Sequence, residues 1–143
     1  HGTYCVPDEI LAKIKETFTA GYTDDEGAEN RIKMLFNEYS YLCDTHTAVA
    51  LNVYEQYKKE TGDNRTTVIA STASPYKFAK SVLDAVSDKK ADTEFDNVRL
   101  LSDVTKTQAP APIKALENAV VRFEGEIEKE TMLDSVFGAL KIK

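Results

Sequence analysis

Apolar residues recur at helical spacing through the first sixty positions. Ile10, Ile14 and Phe18 fall at i, i+4 and i+8, one face of a helix. Pro7 suits the first helical position, and Asp8 and Glu9 favour the positive end of its dipole. Gly21 offers a C-terminal stop. Thr23 and Glu26 form a T-x-x-E capping box. Ala28, Ile32, Leu35, Phe36 and Tyr39 then mark the apolar face of a second helix. A third starts at Asp44 or Thr45 and carries a buried stripe of Ala48, Leu51, Tyr54 and Tyr57, with Val49 and Val53 beside it. The turn cluster Thr61-Gly62-Asp63-Asn64 ends it.

The period changes at Thr67. Thr67 to Ala70 is a short β-branched and apolar run, which predicts a buried strand. Ser74 as N-cap and Pro75 at the first helical position launch a fourth helix, with Phe78, Val82, Leu83 and Val86 as its core face. Ser87 to Asn97 is charged and aperiodic, an exposed connection. Val98 to Val104 reads as a strand or extended segment, Thr107 to Pro112 as a linker with two prolines, Val120 to Phe123 as a strand and Lys129 to Leu140 as a last helix. The class is α/β, helix-rich with few strands, ending in a small α+β tail. A sheet of one to three strands cannot cover its own faces and edges, so the pattern reads as part of something larger.

Composition narrows the function classes. The chain has 143 residues, enough for a packed core, with 42% hydrophobic and 29% charged positions. No apolar stretch reaches membrane-span length. There is no initiator Met; His1-Gly2-Thr3 reads as a scar or a cut end, and no secretory segment follows. A net charge of −6 argues against nucleic-acid or anionic-membrane partners, which need clustered Lys and Arg. Cys5 and Cys43 make no disulfide framework; one disulfide is open to them, a reduced cytosolic pair fits better. Cys43 and His46 sit close together, and His1 and Cys5 are the only other Cys or His residues, so a zinc site, which needs four good ligands, is not expected.

Candidate chemistry sits where the predicted strand meets the fourth helix. Hydroxyls at a strand's carboxyl edge, followed by a helix N-terminus, can bind a polar or anionic ligand. Ser71, Thr72 and Ser74 fit that description. They equally fit a plain turn, with Ser74 as cap and the others on backbone groups. His46, in Asp44-Thr45-His46-Thr47, can act near neutral pH or simply open a helix. One internal His supports no nucleophilic triad, and glycines occur only singly, so no Gly-rich phosphate loop is present.

Two segments carry a family resemblance. Tyr41-Leu42-Cys43-Asp44-Thr45-His46-Thr47-Ala48-Val49-Ala50 resembles the "gYL-D-HTAVA" segment of bacterial threonine synthases, and Thr67-Val68-Ile69-Ala70-Ser71-Thr72-Ala73-Ser74-Pro75-Tyr76-Lys77-Phe78 resembles their "VxxSTAxPxKF" segment. Order and spacing match. The likeness is specific from about Thr3 to Val86 and weaker from Lys89 to Lys143. It implies a fold-type II pyridoxal-phosphate enzyme with a three-layer sheet, to which residues 1–88 contribute the C-terminal part of the cofactor domain and 89–143 an extension. It implies conversion of O-phosphohomoserine and water to threonine and phosphate in the cytoplasm. By analogy Thr72, then Ser71, faces the cofactor's pyridine nitrogen, and His46 stands in the site wall. The family's cofactor lysine and phosphate loop lie in an N-terminal region that these residues do not include; Lys77 is not that lysine. The implied partner is therefore that N-terminal remainder, and the isolated chain is expected to be inactive. Two other expectations compete: a free-standing module holding a phosphate-like anion at Ser71–Ser74, and a structural domain that associates through its tail helix.

Overall fold

The computed structural model describes residues 2–122 and 125–142. Seven α-helices follow one another among them: α1 (Asp8–Lys15), α2 (Asp25–Tyr39), α3 (Thr45–Thr61), α4 (Ala79–Val86), α5 (Glu94–Thr105), α6 (Ala111–Ala115) and α7 (Met132–Leu140). A 3-10 turn, Pro75–Phe78, leads into α4.

The core is built by α2 through α5. α2 packs on α3 and on α4, and α4 packs on α5. Ile32, Val82, Leu83 and Leu101 are completely buried at the centre. Alternation of one apolar face with a charged one explains α4, where Ala79, Val82, Leu83 and Ala85 all point inward. Ser74 caps the 3-10 turn by accepting from the Tyr76 amide at 3.3 Å, with Pro75 next, as expected.

Helix starts follow the acidic caps. Asp24, not Thr23, caps α2, accepting from the Gly27 amide at 2.9 Å. Asp is at least as good a cap as Thr, and it moves the start one residue along. Asp44 caps α3. Gly62 closes α3 in the left-handed region, φ 70°, where a side chain would be strained.

α1 ends at Lys15, well short of Gly21. None of its residues is buried, and Ile10, Ile14 and Phe18 stay exposed. A helix this short without a packed face has little to hold further turns. Gly21 serves a different purpose: a Cβ there would lie 2.8 Å from Val53 Cγ1, so a bare backbone is needed where this loop crosses α3.

Several expectations change downstream. The described residues contain no strand, so the α/β class is met only in its helix-rich part. Thr67–Ala70 is neither paired nor buried; Val68 is 90% exposed, because no strand lies beside it. Val98–Val104 belongs to α5. Its Val98, Leu101 and Thr105 are buried at i, i+3 and i+7, and Thr93 caps it through the Asp96 amide at 3.1 Å. Thr107–Pro112 is not a free linker. Ala109 is buried, Thr107 is bonded to Tyr76, and α6 begins at Ala111. Val120–Arg122 forms no strand; Phe123 lies outside the described residues. The last helix appears where expected, a 3-10 turn at Lys129–Thr131 running into α7.

Candidate functional site

The two motif segments meet through one side chain. Asp44 is fully buried at the start of α3. Its Oδ1 accepts from the amides of His46 at 2.9 Å and Thr47 at 3.4 Å, and its Oδ2 accepts from the Thr47 hydroxyl. The Thr47 Oγ1 lies 3.0 Å from the Ser71 Oγ, twenty-four residues along the chain. A hydroxyl has one proton. Since Thr47 gives its proton to Asp44, Ser71 is the donor in the bond they share. The sense of the relay is Ser71 to Thr47 to Asp44. The Ser71 oxygen therefore faces anything beyond it as an acceptor.

Burial pushes the Asp44 carboxyl up, but the Thr47 hydroxyl and the amides of His46 and Thr47 outweigh that and hold it below the ordinary carboxylate range. The relay thus ends on an ionised buried group, where an unbonded charge would be costly. Beside it, Cys43 is buried, and burial followed by the charge of Asp44 pushes its thiol up to about 11. It is held as a neutral thiol, not a nucleophile.

The predicted site residues divide into two groups. Ser71 joins the relay. Thr72, next to it, is exposed, and its hydroxyl makes no hydrogen bond among the described residues. Ser74 is committed to its cap. Of the three hydroxyls in the turn, Thr72 is the one left open. His46 points elsewhere: its ring packs on Phe78 at 4.9 Å between centroids, and Nδ1 lies 3.3 Å from Asp44 Oδ1. It lines a separate cleft of about 330 Å³ with Thr45, Asp24, Asp25, Glu29 and Ser81. Successive helix positions point about 100° apart, which is why His46 and Thr47 serve different surfaces while sharing Asp44.

No local signal marks the second polar cluster, which fixes the turn from behind. The Tyr76 hydroxyl is 2.6 Å from Thr107 Oγ1 and 3.1 Å from Ser102 Oγ. Thr107 is 2.8 Å from Thr105, whose hydroxyl donates to the Leu101 carbonyl at 2.7 Å. These bonds tie the Pro75–Phe78 turn to the end of α5. Their partners lie up to thirty-one residues apart, so no local pattern marks them.

Chemically, the arrangement offers a turn with one open hydroxyl, a neighbouring hydroxyl of fixed polarity and a rigid support. It fits a group with a hydrogen-bonding ring atom; the charged member of the relay, Asp44, is fully buried behind Thr47. No cluster of three His, Cys, Asp or Glu residues suited to a metal is found among the described residues, nor any helix long and apolar enough to cross a membrane.

Comparison with known proteins agrees with the motifs. The family described as "Threonine synthase, C-terminal" matches residues 47–130, more than half the chain. A threonine synthase of Schizosaccharomyces pombe (strain 972 / ATCC 24843) is 31% identical over 106 residues. That alignment takes in 68% of this chain but only 21% of the relative. With both motif segments joined at one turn and the family match running through that turn, the chain belongs to the threonine synthase C-terminal family.

Proposed function

We propose that this chain is the C-terminal part of an enzyme that converts O-phosphohomoserine and water to threonine and phosphate, a lyase of amino-acid biosynthesis. The observation that carries the reading is the 3.0 Å bond between Thr47 and Ser71. It joins the two segments that resemble the family and leaves Thr72 open beside them.

Pyridoxal phosphate, when bound, supplies the electron sink for such a reaction. From this chain, Thr72 would offer its hydroxyl to the pyridine nitrogen. Ser71, anchored through Thr47, holds the turn and presents an acceptor next to it. An uncharged hydroxyl leaves that nitrogen less firmly protonated than a carboxylate would. His46 stands in the wall of the neighbouring cleft. The lysine that holds the cofactor, by resemblance, comes from the N-terminal remainder. The isolated chain is accordingly inactive, and the remainder is its partner, in the cytoplasm.

The test mixes residues 1–143 with the separately produced remainder, titrates pyridoxal phosphate by absorbance and follows phosphate release from O-phosphohomoserine. Activity should appear only in the mixture and fall on Thr72→Ala. Turnover by residues 1–143 alone would sink the reading, as would a mixture that binds cofactor equally well with and without the Thr72 hydroxyl.

A further inference from the structure

Thr72 lies on a span with little support of its own. Residues 71–73 make no backbone hydrogen bond among the described residues. Side chains hold the span at its ends, each on a different helix. Ser71 is bonded to Thr47 at the start of α3. Beyond Thr72, the Tyr76 hydroxyl reaches Thr107 and Ser102 at the end of α5. The second anchor has a fixed polarity. Thr105 gives its one proton to the Leu101 carbonyl at 2.7 Å. Thr107 is therefore the donor in its 2.8 Å bond to Thr105. With that proton spent, Tyr76 is the donor to Thr107 at 2.6 Å. Ser102 then gives to Tyr76 and shares its proton with the Val98 carbonyl, 3.1 Å from each. Lys106 takes the left-handed conformation, φ 58°, which residues with a side chain seldom adopt. The chain accepts it directly before Thr107.

From this arrangement we infer that Tyr76 and Thr107 are positioning residues for the proposed reaction: the bond between them sets where Thr72 presents its hydroxyl to the pyridine nitrogen. The inference rests on the reading of Thr72 as the ring contact. Burial of the Tyr76 ring, 5% exposed, does not need the hydroxyl, since a Phe ring would fill the same space. What the hydroxyl adds is direction, because a hydrogen bond weakens steeply as its angle opens. The link from Tyr76 to Thr72 is short and stiff. Only Ala73, Ser74 and Pro75 stand between them. Pro75 has a fixed φ, and the Ser74 hydroxyl accepts from the Tyr76 amide at 3.3 Å. A shift of the Tyr76 side chain along α5 is therefore passed to Thr72, whose own backbone has nothing to resist it. A displacement of about 1 Å is enough to cost a positioned contact much of its effect.

The test uses the complete parent enzyme. Pyridoxal phosphate is titrated into the cofactor-free protein by absorbance, and phosphate release from O-phosphohomoserine gives kcat. Tyr76→Phe and Thr107→Val break the same bond from opposite sides, so the test survives if one of them fails to fold. Each should weaken cofactor binding by about 5-fold and lower kcat by about 10-fold. Thr107→Ser keeps the hydroxyl and should stay within about 2-fold of wild type. In a Thr72→Ala background the same two substitutions should change neither quantity by more than about 2-fold, because residues that act through one group are not additive. Losses of equal size in both backgrounds would overturn the inference and leave the cluster a support of the fold alone. An absence of loss in the wild-type background would overturn it as well. Thr72→Ala by itself separates the two readings. If it leaves binding and kcat unchanged, the ring contact falls and this inference with it. If it lowers them and the Tyr76 and Thr107 losses simply add, this inference alone falls.

Discussion

Replacing Thr47 by Val removes one hydroxyl with almost no change in shape. Two bonds go with it: the one to Asp44 Oδ2 and the one to Ser71. Asp44 is fully buried and keeps the amides of His46 and Thr47, with the His46 Nδ1 3.3 Å away. A hydrogen bond to a charged group contributes roughly 1.5–3 kcal/mol. Ser71 is part-exposed and can bond water instead, so its loss adds little. The expected destabilisation is about 2 kcal/mol at pH 7. For a chain of this size that lowers Tm by roughly 6 °C. The loss also has a pH signature. The Asp44 carboxyl is held below its ordinary value, so its contribution to stability is present above the unfolded-state value of about 4 and lost as pH falls through the folded-state value. Without the Thr47 hydroxyl, the upward push of burial is no longer outweighed to the same degree. The gap between wild type and Thr47→Val is therefore largest near neutral pH and narrows below about pH 4. Thermal unfolding by circular dichroism from pH 3 to 7 measures it, with Thr47→Ser, which keeps the hydroxyl, as the control. A gap under about 1 °C at pH 7, or one that does not change with pH, would refute the relay.

Three further outcomes are expected. Tyr76→Phe removes the hydroxyl between Thr107 and Ser102 and should cost about 1 kcal/mol, read from the urea midpoint; an unchanged midpoint would mean the cluster does not hold the turn. Asp24→Ala should cost about 1 kcal/mol as a lost helix cap. Thr23→Ala should cost clearly less, and the reverse order would restore the T-x-x-E box. A thiol reagent at pH 8 should modify exposed Cys5 at once and leave Cys43, with its thiol pushed up to about 11, untouched until the chain unfolds; rapid reaction of both would contradict the buried environment.

Where local chemistry decided the structure, it could be read from the residues. The starts of α3 and of the Ser74-Pro75 turn were legible because Asp44 and Ser74 satisfy backbone donors within three residues of themselves. The face of α4 was legible because its period matches its burial. Val98, Leu100, Leu101 and Val104 look like a strand when the Thr93 cap is overlooked, so the pattern alone reads part of α5 as extended. T-x-x-D at Thr93–Asp96 was the available signal. Thr67–Ala70 is a different case. Its composition suits a strand, but a strand needs a neighbour, and none lies within the described residues. At the site, the grouping of Ser71 with Thr72 needed only adjacency. The separation of His46 from both, and the role of Thr47 as the link, depend on how α3 is rotated about its axis, which tertiary packing sets.

The order of packing has a kinetic consequence. α2 lies against α3, α4 against α5, and α2 against α4, so two of the three core packings join helices that are neighbours in sequence and the third brings distant helices together. Contacts between neighbouring helices form fastest, and the distant one follows them. The α2–α3 and α4–α5 pairs are therefore expected to form first, and the α2–α4 contact to join them into the four-helix core. Until that closure the apolar faces of both pairs stay open to solvent, and this is the interval in which the folding chain is most exposed to wrong association.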